Sequence, residues 1–375
     1  MSEEMDWSKK LEEEYRQLQE SIKKPNILLA GATGAGKSSL VNMIFGEELA
    51  AVGIGKPVTK QIDVYEDNEI DVRIFDSKGY ELGEAADKEF YESVVHLAKI
   101  TNSPEKAIHL IWYCIDCSGH KVTDYDEKAI EIFSKAGIPI AIVLTKADLV
   151  SDEEVIALKK ALPDSAISNT FETTIDPDCQ EYNQVEKLID WSIEHLDESL
   201  RQSFIRSQNA SLHTKWEKAH KMVITHTAIA GGVGAASIPF ADAPILASNE
   251  IGLLVRILYL YNLCSLKDFL KSSGIPALLA RFLTTAGKQL VKSILKTIAP
   301  GATNVVSAAV AAAITFAFGE ATSTLAYQIS KARLNGNNDE ASKMIKDFWP
   351  LLTELINRYI SEGRKTKDDY TEENM

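Results

Sequence analysis

Cysteine is scarce in this chain of 375 residues, and Cys114, Cys117, Cys179 and Cys264 follow no regular framework. That excludes a disulfide scaffold and points to a reducing compartment. Cys114 and Cys117 form C-x-x-C with His120 nearby, but a structural zinc needs a full tetrahedral ligand set and no second pair lies at ribbon spacing. They read instead as two cysteines at the buried end of a strand. No cleavable signal opens the acidic N-terminus, so the expected location is the cytoplasm, with peripheral attachment at the inner face of a membrane as its extension. No period of about 20 to 50 residues marks a repeat protein. Positive charge is in deficit, with a net −14. Together with the lack of an RNA-binding G-x-x-G module, this leaves no nucleic-acid partner expected. The deficit is uneven: residues 201–300 hold twelve Lys and Arg against Glu217, Asp242, Glu250 and Asp268, a net +8, so the remainder carries −22.

What is present is enough apolar sequence, 45% of residues, to bury two or three domains. Up to about residue 185, short β-branched runs alternate with helical patterns. "NILLAG", "QIDVYED", "IDVRIFDS", "AIHLIWYCID", "IPIAIVLTKAD" and "SAISNT" read as strands. The alternation predicts an α/β fold with a mostly parallel sheet wrapped by helices. After Gln184 strand signals vanish and helical patterns run to about Tyr359. In front, Trp7, Leu11, Tyr15, Leu18 and Ile22 form one helical stripe. The expected division is an N-terminal helix over 1–24, an α/β domain over 25–200, an all-α domain over 201–360 and a disordered tail over 361–375.

The stretch "GATGAGKS", Gly31 to Ser38, fits G-x-x-x-x-G-K-[ST], follows a predicted strand and opens a helix. Lacking side chains, Gly31, Gly34 and Gly36 let backbone N–H groups turn toward phosphate oxygens, and the helix behind them points its positive end at the same anion. Lys37 would reach the β- and γ-phosphates, and Ser38 would give Mg²⁺ a hydroxyl ligand. Ala32, Thr33, Ala35 and Ser39 complete the stretch that lines the nucleotide. Base choice rests on "TKAD": a carboxylate at Asp148 can accept from guanine N1–H and its exocyclic amine, whereas adenine offers no such donor pair. Lys146 can lay its aliphatic stem over the base. Taken alone, Asp148 could equally be a helix cap. With the phosphate loop, GTP and GDP are the expected ligands.

These residues resemble the TRAFAC-class small GTPases, in particular Era-like and immunity-related or septin-like forms, over about residues 25–200. The resemblance implies a Ras-like P-loop GTPase domain, Mg²⁺, hydrolysis of GTP to GDP and phosphate, and five ordered motifs. After Gly31–Ser38 comes a switch threonine, matched by Thr59 in "GKPVTKQIDV", with a plain strand-starting threonine as the alternative. D-x-x-G matches "DSKG", with Asp76 on the metal side and the Gly79 N–H sensing the γ-phosphate. Lys37, Thr59 and Gly79 are thus the implied catalytic set, and Ser38, Thr59 and Asp76 the metal set. In the fourth motif Thr145 stands where the family more often has Asn, which removes a carboxamide bridge. For the fifth, a loop after the last strand, Ser168 and Asn169 are preferred over Ser165 and Ala166. Tyr80 replaces the water-orienting glutamine, and Gly34 the asparagine of potassium-activated relatives. Turnover alone should therefore be slow, with help from a protein activator or self-association. A dynamin-like or septin-like assembly protein is the alternative function.

Met222–Ala241 and Thr297–Gly319 contain no Asp, Glu, Lys or Arg, and each is long enough to span a bilayer. Their content is alanine and glycine rather than leucine, and Asp242, Glu250 and Arg256 follow the first. A soluble bundle with reversible contact at an anionic membrane surface leads, with a wholly soluble bundle and spanning helices as alternatives. Lys215, Lys218 and Lys221 sit on one side of the helix leading into the first run. This half loosely resembles the YcjF-like helical module fused to bacterial Era-like GTPases, which implies a companion domain and no particular activity. The function expected of the whole chain is a nucleotide-controlled switch whose helical domain engages a membrane surface or a protein partner.

Overall fold

The computed structural model describes residues 7–46, 56–57, 62–66, 70–77, 107–234, 243–263 and 308–362. The chain divides into two compact units, Ile22–Ser211 and a discontinuous one made of Met1–Ser21 with Leu212–Met375. Thr59, Gly79 and Tyr80, and the expected tail from residue 363 on, lie outside the described residues.

The first unit is built on a seven-stranded sheet in the order β2-β3-β4-β1-β5-β6-β7. Its strands are β1 (Asn26–Gly31), β2 (Lys56–Pro57), β3 (Ile62–Tyr65), β4 (Arg73–Ser77), β5 (Leu110–Asp116), β6 (Ile140–Thr145) and β7 (Thr170–Thr173). The five from β4 to β7 in this order run parallel, and among the described strands β3 alone is reversed, pairing antiparallel with both β2 and β4. The central strands are buried on both faces, which is why they read as continuous apolar runs. Ile111, Tyr113 and Ile115 face α3 (Asp124–Lys135) and α4 (Asp152–Lys160) through Ile130, Phe133, Val155 and Leu158. Leu110, Trp112 and Cys114 face α2 (Lys37–Phe45), α6 (Val185–His195) and α7 (Glu198–Ser207) through Leu40, Ile44, Leu188 and Phe204. Thr123 with Asp126, and Ser151 with Glu154, close reciprocal caps at the starts of α3 and α4.

Two expectations from the sequence are corrected by this fold. "SAISNT" is not a strand: Pro163 opens a short helix, α5 (Asp164–Ile167), and the strand begins only at Thr170. Ala166 alone of Asp164–Ile167 is buried, whereas Thr170, Phe171 and Thr173 all are. The first unit also ends at Ser211 rather than at residue 200. Helix α7 belongs to it because Phe204, fully buried, meets Phe45 and Trp112 edge-on, each at 6.2 Å between ring centroids.

The second unit contains α1 (Trp7–Glu20), α8 (Leu212–Gly234), α9 (Ala243–Leu260), α10 (Ala308–Leu334), α11 (Asn338–Lys346) and α12 (Phe348–Glu362). The N-terminal helix is therefore part of the helical unit: Tyr15 meets Tyr259 of α9 edge-on at 6.0 Å and Leu18 is buried, while Ile22 falls beyond its end. Helix α10 runs against α8, α9 and α12. A Cβ on Gly319 would stand 2.7 Å from Val223 and 2.9 Å from Leu253 side-chain carbons, so the small residues of α10 serve close helix packing. Among the described residues no helix is long and apolar enough to cross a membrane. Lys215, Lys218 and Lys221 do not share one exposure: Lys215 is buried, Lys218 half-buried and Lys221 exposed. A spacing of three drifts by roughly 60° per step around a helix of 3.6 residues per turn. His220 of α8 has a carboxylate companion on α10, with Nδ1 2.6 Å from Glu320 Oε1.

Because Phe204 fills the sheet's helical layer, Phe204→Ala should destabilise the first unit by about 3–5 kcal/mol. Urea unfolding of the isolated fragments 22–211 and 22–200 provides the companion check. The longer fragment should unfold cooperatively and the shorter should not.

Candidate nucleotide site

The site lies at the carboxyl ends of β1, β4, β5 and β6, where a parallel sheet opens its crevice. Strand β1 ends in Gly31, whose φ is +135°. A Cβ there would stand 2.3 Å from the Cys114 carbonyl oxygen, so only glycine fits between β1 and β5. Gly36, at φ +78°, is pressed against Thr145, 3.1 Å from where a Cβ would be. Helix α2 begins directly after it with no side-chain cap. Its first-turn N–H groups thus have no side chain from Gly36 to satisfy them and are disposed to take an anion.

Lys37 is buried, and its Nζ donates to the carbonyls of Gly31 at 2.9 Å and Ala32 at 3.0 Å. The ammonium is thereby curled back over the loop that would hold phosphate. Ser38 and Ser39 are exposed on the first turn of α2, as are Ala32, Thr33 and Gly34 on the loop, while Ala35 is buried. Asp76, penultimate in β4, stands opposite Leu29 of β1. Burial pushes the Cys114 thiol up to about 12, with Lys37 lowering and Asp76 raising it. The strand register agrees: Asp76 pairs with Leu29 two residues before Gly31, whose carbonyl holds the Lys37 ammonium, so both charges lie at the carboxyl end of β1. The two C-x-x-C thiols are both buried, as the strand reading expects.

Strand β6 supplies the base side. Thr145 is in register with Asp116 of β5 and Thr173 of β7. Its hydroxyl donates to the Ala35 carbonyl at 3.0 Å, with the Ile115 carbonyl at 3.3 Å. The bridge expected to be lost with asparagine is therefore made by a hydroxyl. Lys146 takes a left-handed backbone, φ 55°. Its Nζ pairs with Asp116 and donates to the Gly34 carbonyl at 3.3 Å. Asp148 lies in the 3₁₀ turn Ala147–Leu149. Partial burial raises the Cys179 thiol, and the negative charges of Asp176, Glu181 and Asp148 add to it.

Ser168 and Asn169 are not in that loop. They precede β7, and the Asn169 carbonyl accepts from Ile142 N–H at 2.8 Å, three residues before the carboxyl end of β6. The fifth-motif assignment is corrected accordingly: the loop after the last strand starts at Thr174, whose buried hydroxyl accepts from Asp176 N–H at 2.9 Å. The β-branched and aromatic run Thr170, Phe171, Thr173 and Thr174 was the signal available for it. Sequence reasoning also passed over Asp116 and Ser118, marked only by a carboxylate closing the apolar run "LIWYCID". Among the described residues no cluster of His, Cys, Asp or Glu could hold a metal. Of the residues expected to hold Mg²⁺, the described ones are Ser38 and Asp76, and a hydroxyl with a carboxylate is a donor set that fits a hard cation.

Residues 26–146 match the family described as 50S ribosome-binding GTPase. The chain is 27% identical over 149 residues to the probable GTP-binding protein EngB of Aquifex aeolicus (strain VF5), covering 38% of this chain and 79% of that protein. It is 33% identical over 132 residues to the tRNA modification GTPase MnmE of Borrelia recurrentis (strain A1), covering 35% of this chain and only 27% of that protein. A crystal structure of a probable GTP-binding protein engB is 19% identical over 45% of this chain and 97% of that chain, at a TM-score of 0.32. This chain carries a P-loop GTPase domain. A GTPase domain needs a phosphate cradle and a base site, and the ends of β1, β4, β5 and β6 can supply both.

Lys37→Ala should weaken GTP binding by about 3 kcal/mol or more, over 100-fold, because charge-assisted bonds to two phosphates are lost. Isothermal titration with GTP measures it, and unchanged affinity would remove Lys37 from the cradle. Asp148→Asn should exchange preference from GTP to xanthosine triphosphate, since an amide can donate where the carboxylate accepted. Competition between the two triphosphates reads that exchange directly.

Proposed function

We propose that this protein is a nucleotide-controlled switch that hydrolyses GTP slowly by itself and passes its nucleotide state to the helical unit. The observation that carries the coupling is a convergence at the start of β4. On the incoming side Lys24 Nζ donates to the Ile70 carbonyl at 3.0 Å, and Arg73 N–H donates to the Pro25 carbonyl at 2.9 Å. On the outgoing side Arg206 forms a buried pair with Asp71 at 2.5 Å, and Asp71 N–H donates to Ser207 Oγ at 2.9 Å. Both segments that join the GTPase domain to the helical unit are therefore fastened within Ile70–Arg73. Strand β4 runs from there to Asp76, on the phosphate side.

The end of α2 is fastened to the same outgoing segment. Asn209 N–H donates to the Ile44 carbonyl at 2.7 Å, and its side-chain amide donates to the Phe45 carbonyl at 3.1 Å. Gln208 and Ser211 bond each other twice at 2.8 Å, so the segment is a stiff joint. In this reading Lys37 and the α2 N–H groups bind phosphate, and Asp148 and Lys146 take guanine. Ser38, Asp76 and Thr59 would hold Mg²⁺, which when bound neutralises charge on the phosphates. The Gly79 N–H would sense the γ-phosphate. Gly34 and Tyr80 leave no orienting side chain, which is the ground for slow turnover and for help from an activator or a second copy.

For the helical unit we propose an anionic lipid surface as partner. On α8 the exposed Lys221 is followed by Ile224, Ala228 and Ile229 on the outer side, with Ile224 52% and Ile229 47% exposed. Basic residues near such a surface contribute about 1 kcal/mol each at best, so binding should be reversible.

Flotation with anionic or neutral vesicles, in GDP or a nonhydrolysable GTP analogue, tests both parts. Binding should need anionic lipid, weaken with salt and differ between the nucleotides. In the joint variant Asp71→Asn with Arg206→Gln, which replaces both members of the buried pair by neutral groups of similar size, the nucleotide difference should vanish while GTP affinity stays within about twofold, since sites without shared partners act nearly independently. Failure to float in every nucleotide state would leave a GTPase whose helical unit recognises protein. Light scattering that rises with GTP would favour assembly instead.

A further inference from the structure

The phosphate loop and the carboxylate at Asp148 account for the two ends of a bound guanine nucleotide. They leave open what holds the lysine between them. A lysine is a poor platform by itself, because its four-carbon stem samples many rotamers and its ammonium prefers water. Here Lys146 is already placed. Its left-handed backbone turns the side chain back across the end of β6, and its Nζ is tied at once to the Asp116 carboxylate and to the Gly34 carbonyl at 3.3 Å. Asp116 is fixed in turn. It closes β5 in register with Thr145, and its second oxygen accepts from Ser118 N–H at 2.8 Å and from Ser118 Oγ at 2.6 Å.

We propose that Asp116, clamped by Ser118, is a positioning residue that sets Lys146 as a preformed platform for the guanine ring. The proposal rests on the reading of residues 145–148 as the base site. Ser118, Asp116, Lys146 and Gly34 form a chain of contacts that runs from the far edge of the base site to the phosphate loop. The stem of Lys146 is stretched along it before any nucleotide arrives. A ligand that finds the stem ordered does not have to order it, and that difference is affinity. The pair itself adds little, since Lys146 is 39% and Asp116 26% exposed and such pairs are weak. Partial burial alone would raise the Asp116 carboxyl, but the Lys146 and Ser118 hydrogen bonds with the lysine charge hold it below the usual carboxylate value. It therefore remains charged throughout the neutral range.

The platform acts on the flat face of the base, not on its edge, and this separates it from Asp148. Asp116→Ala should weaken GTP and inosine triphosphate alike, by about threefold to tenfold, the range expected when a ligand must order one long side chain. The loss should appear in KM and in faster dissociation of a fluorescent GDP, with little change in kcat. Asp116→Asn, which keeps a hydrogen-bond acceptor, should recover part of the loss. Asp116→Ala combined with Lys146→Ala should bind no worse than Lys146→Ala alone, because Asp116 acts through the lysine. Ser118→Ala, on an exposed residue, keeps the test available if Asp116→Ala fails to fold, and should give a smaller loss of the same kind. Additive losses in the double variant, or affinities within twofold of the parent for both Asp116→Ala and Ser118→Ala, would overturn the proposal. A parent protein that does not prefer GTP over ATP would instead overturn the base-site reading beneath it.

Discussion

A single hydroxyl holds the two halves of the candidate nucleotide site in one frame. Thr145 Oγ1 donates across 110 positions of sequence to the Ala35 carbonyl, tying the end of β6 to the phosphate loop. Its net worth is about 1 kcal/mol, as for other neutral hydrogen bonds, so its importance is geometric. Gly36 has to be glycine because its backbone is left-handed, at φ +78°, with Thr145 only 3.1 Å from where a Cβ would be. Lys146 has to turn left-handed because the strand stops there, and the same turn carries Asp148 outward. Cradle, lysine and carboxylate are thus three consequences of where β6 ends.

The sequence was most legible where function demands a local backbone shape. The glycines at 31 and 36 announce themselves because a side chain at the first would collide with Cys114 and the second holds a left-handed backbone against Thr145, and the strand-turn-helix pattern around them is set by nearest neighbours. What could not be read depends on contacts between distant positions. The departure from asparagine at Thr145 looked like a loss, because nothing in "TKAD" shows that its hydroxyl meets Ala35. Asp116 looked like the polar end of a strand, and only the register with Thr145 brings it to Lys146. The last strand was misplaced because "SAISNT" is polar and β-branched at once, and Pro163 sets a helical turn there before the chain extends.

Domain limits failed for a related reason. Residues 201–211 share the helical pattern of the second unit, yet Phe204, Arg206 and Asn209 are committed to the sheet unit through Trp112, Asp71 and the end of α2. The first helix likewise carries an amphipathic stripe whose partner cannot be named from sequence, and that partner is α9. A GTPase domain inserted into a helical unit must cross between them twice. Both crossings being fastened at the start of β4 makes that strand the mechanical ground of the domain, which a composition shift near residue 185 could not reveal.

Packing inside the helical unit also limits what its apolar residues can do. Gly319 admits Val223 and Leu253 so closely that the small-residue stretch of α10 is used up in helix contact. The same helix continues into Glu320, which is 1% exposed and bonded to His220. Glu250 of α9 is wholly buried, and burial pushes its carboxyl up to about 8 against a weaker opposing bond from Thr315. It is therefore mostly neutral at pH 7, which lowers the penalty of holding it inside. Carboxyls in these places belong to a bundle that packs on itself, since lipid around them would leave them no such partners. Of the described part of α8 only the outer side, with Ile224 and Ile229, stays apolar and exposed. In the reading proposed above, lipid contact through that surface would be shallow, one-sided and governed by the charge of Lys221 beside it.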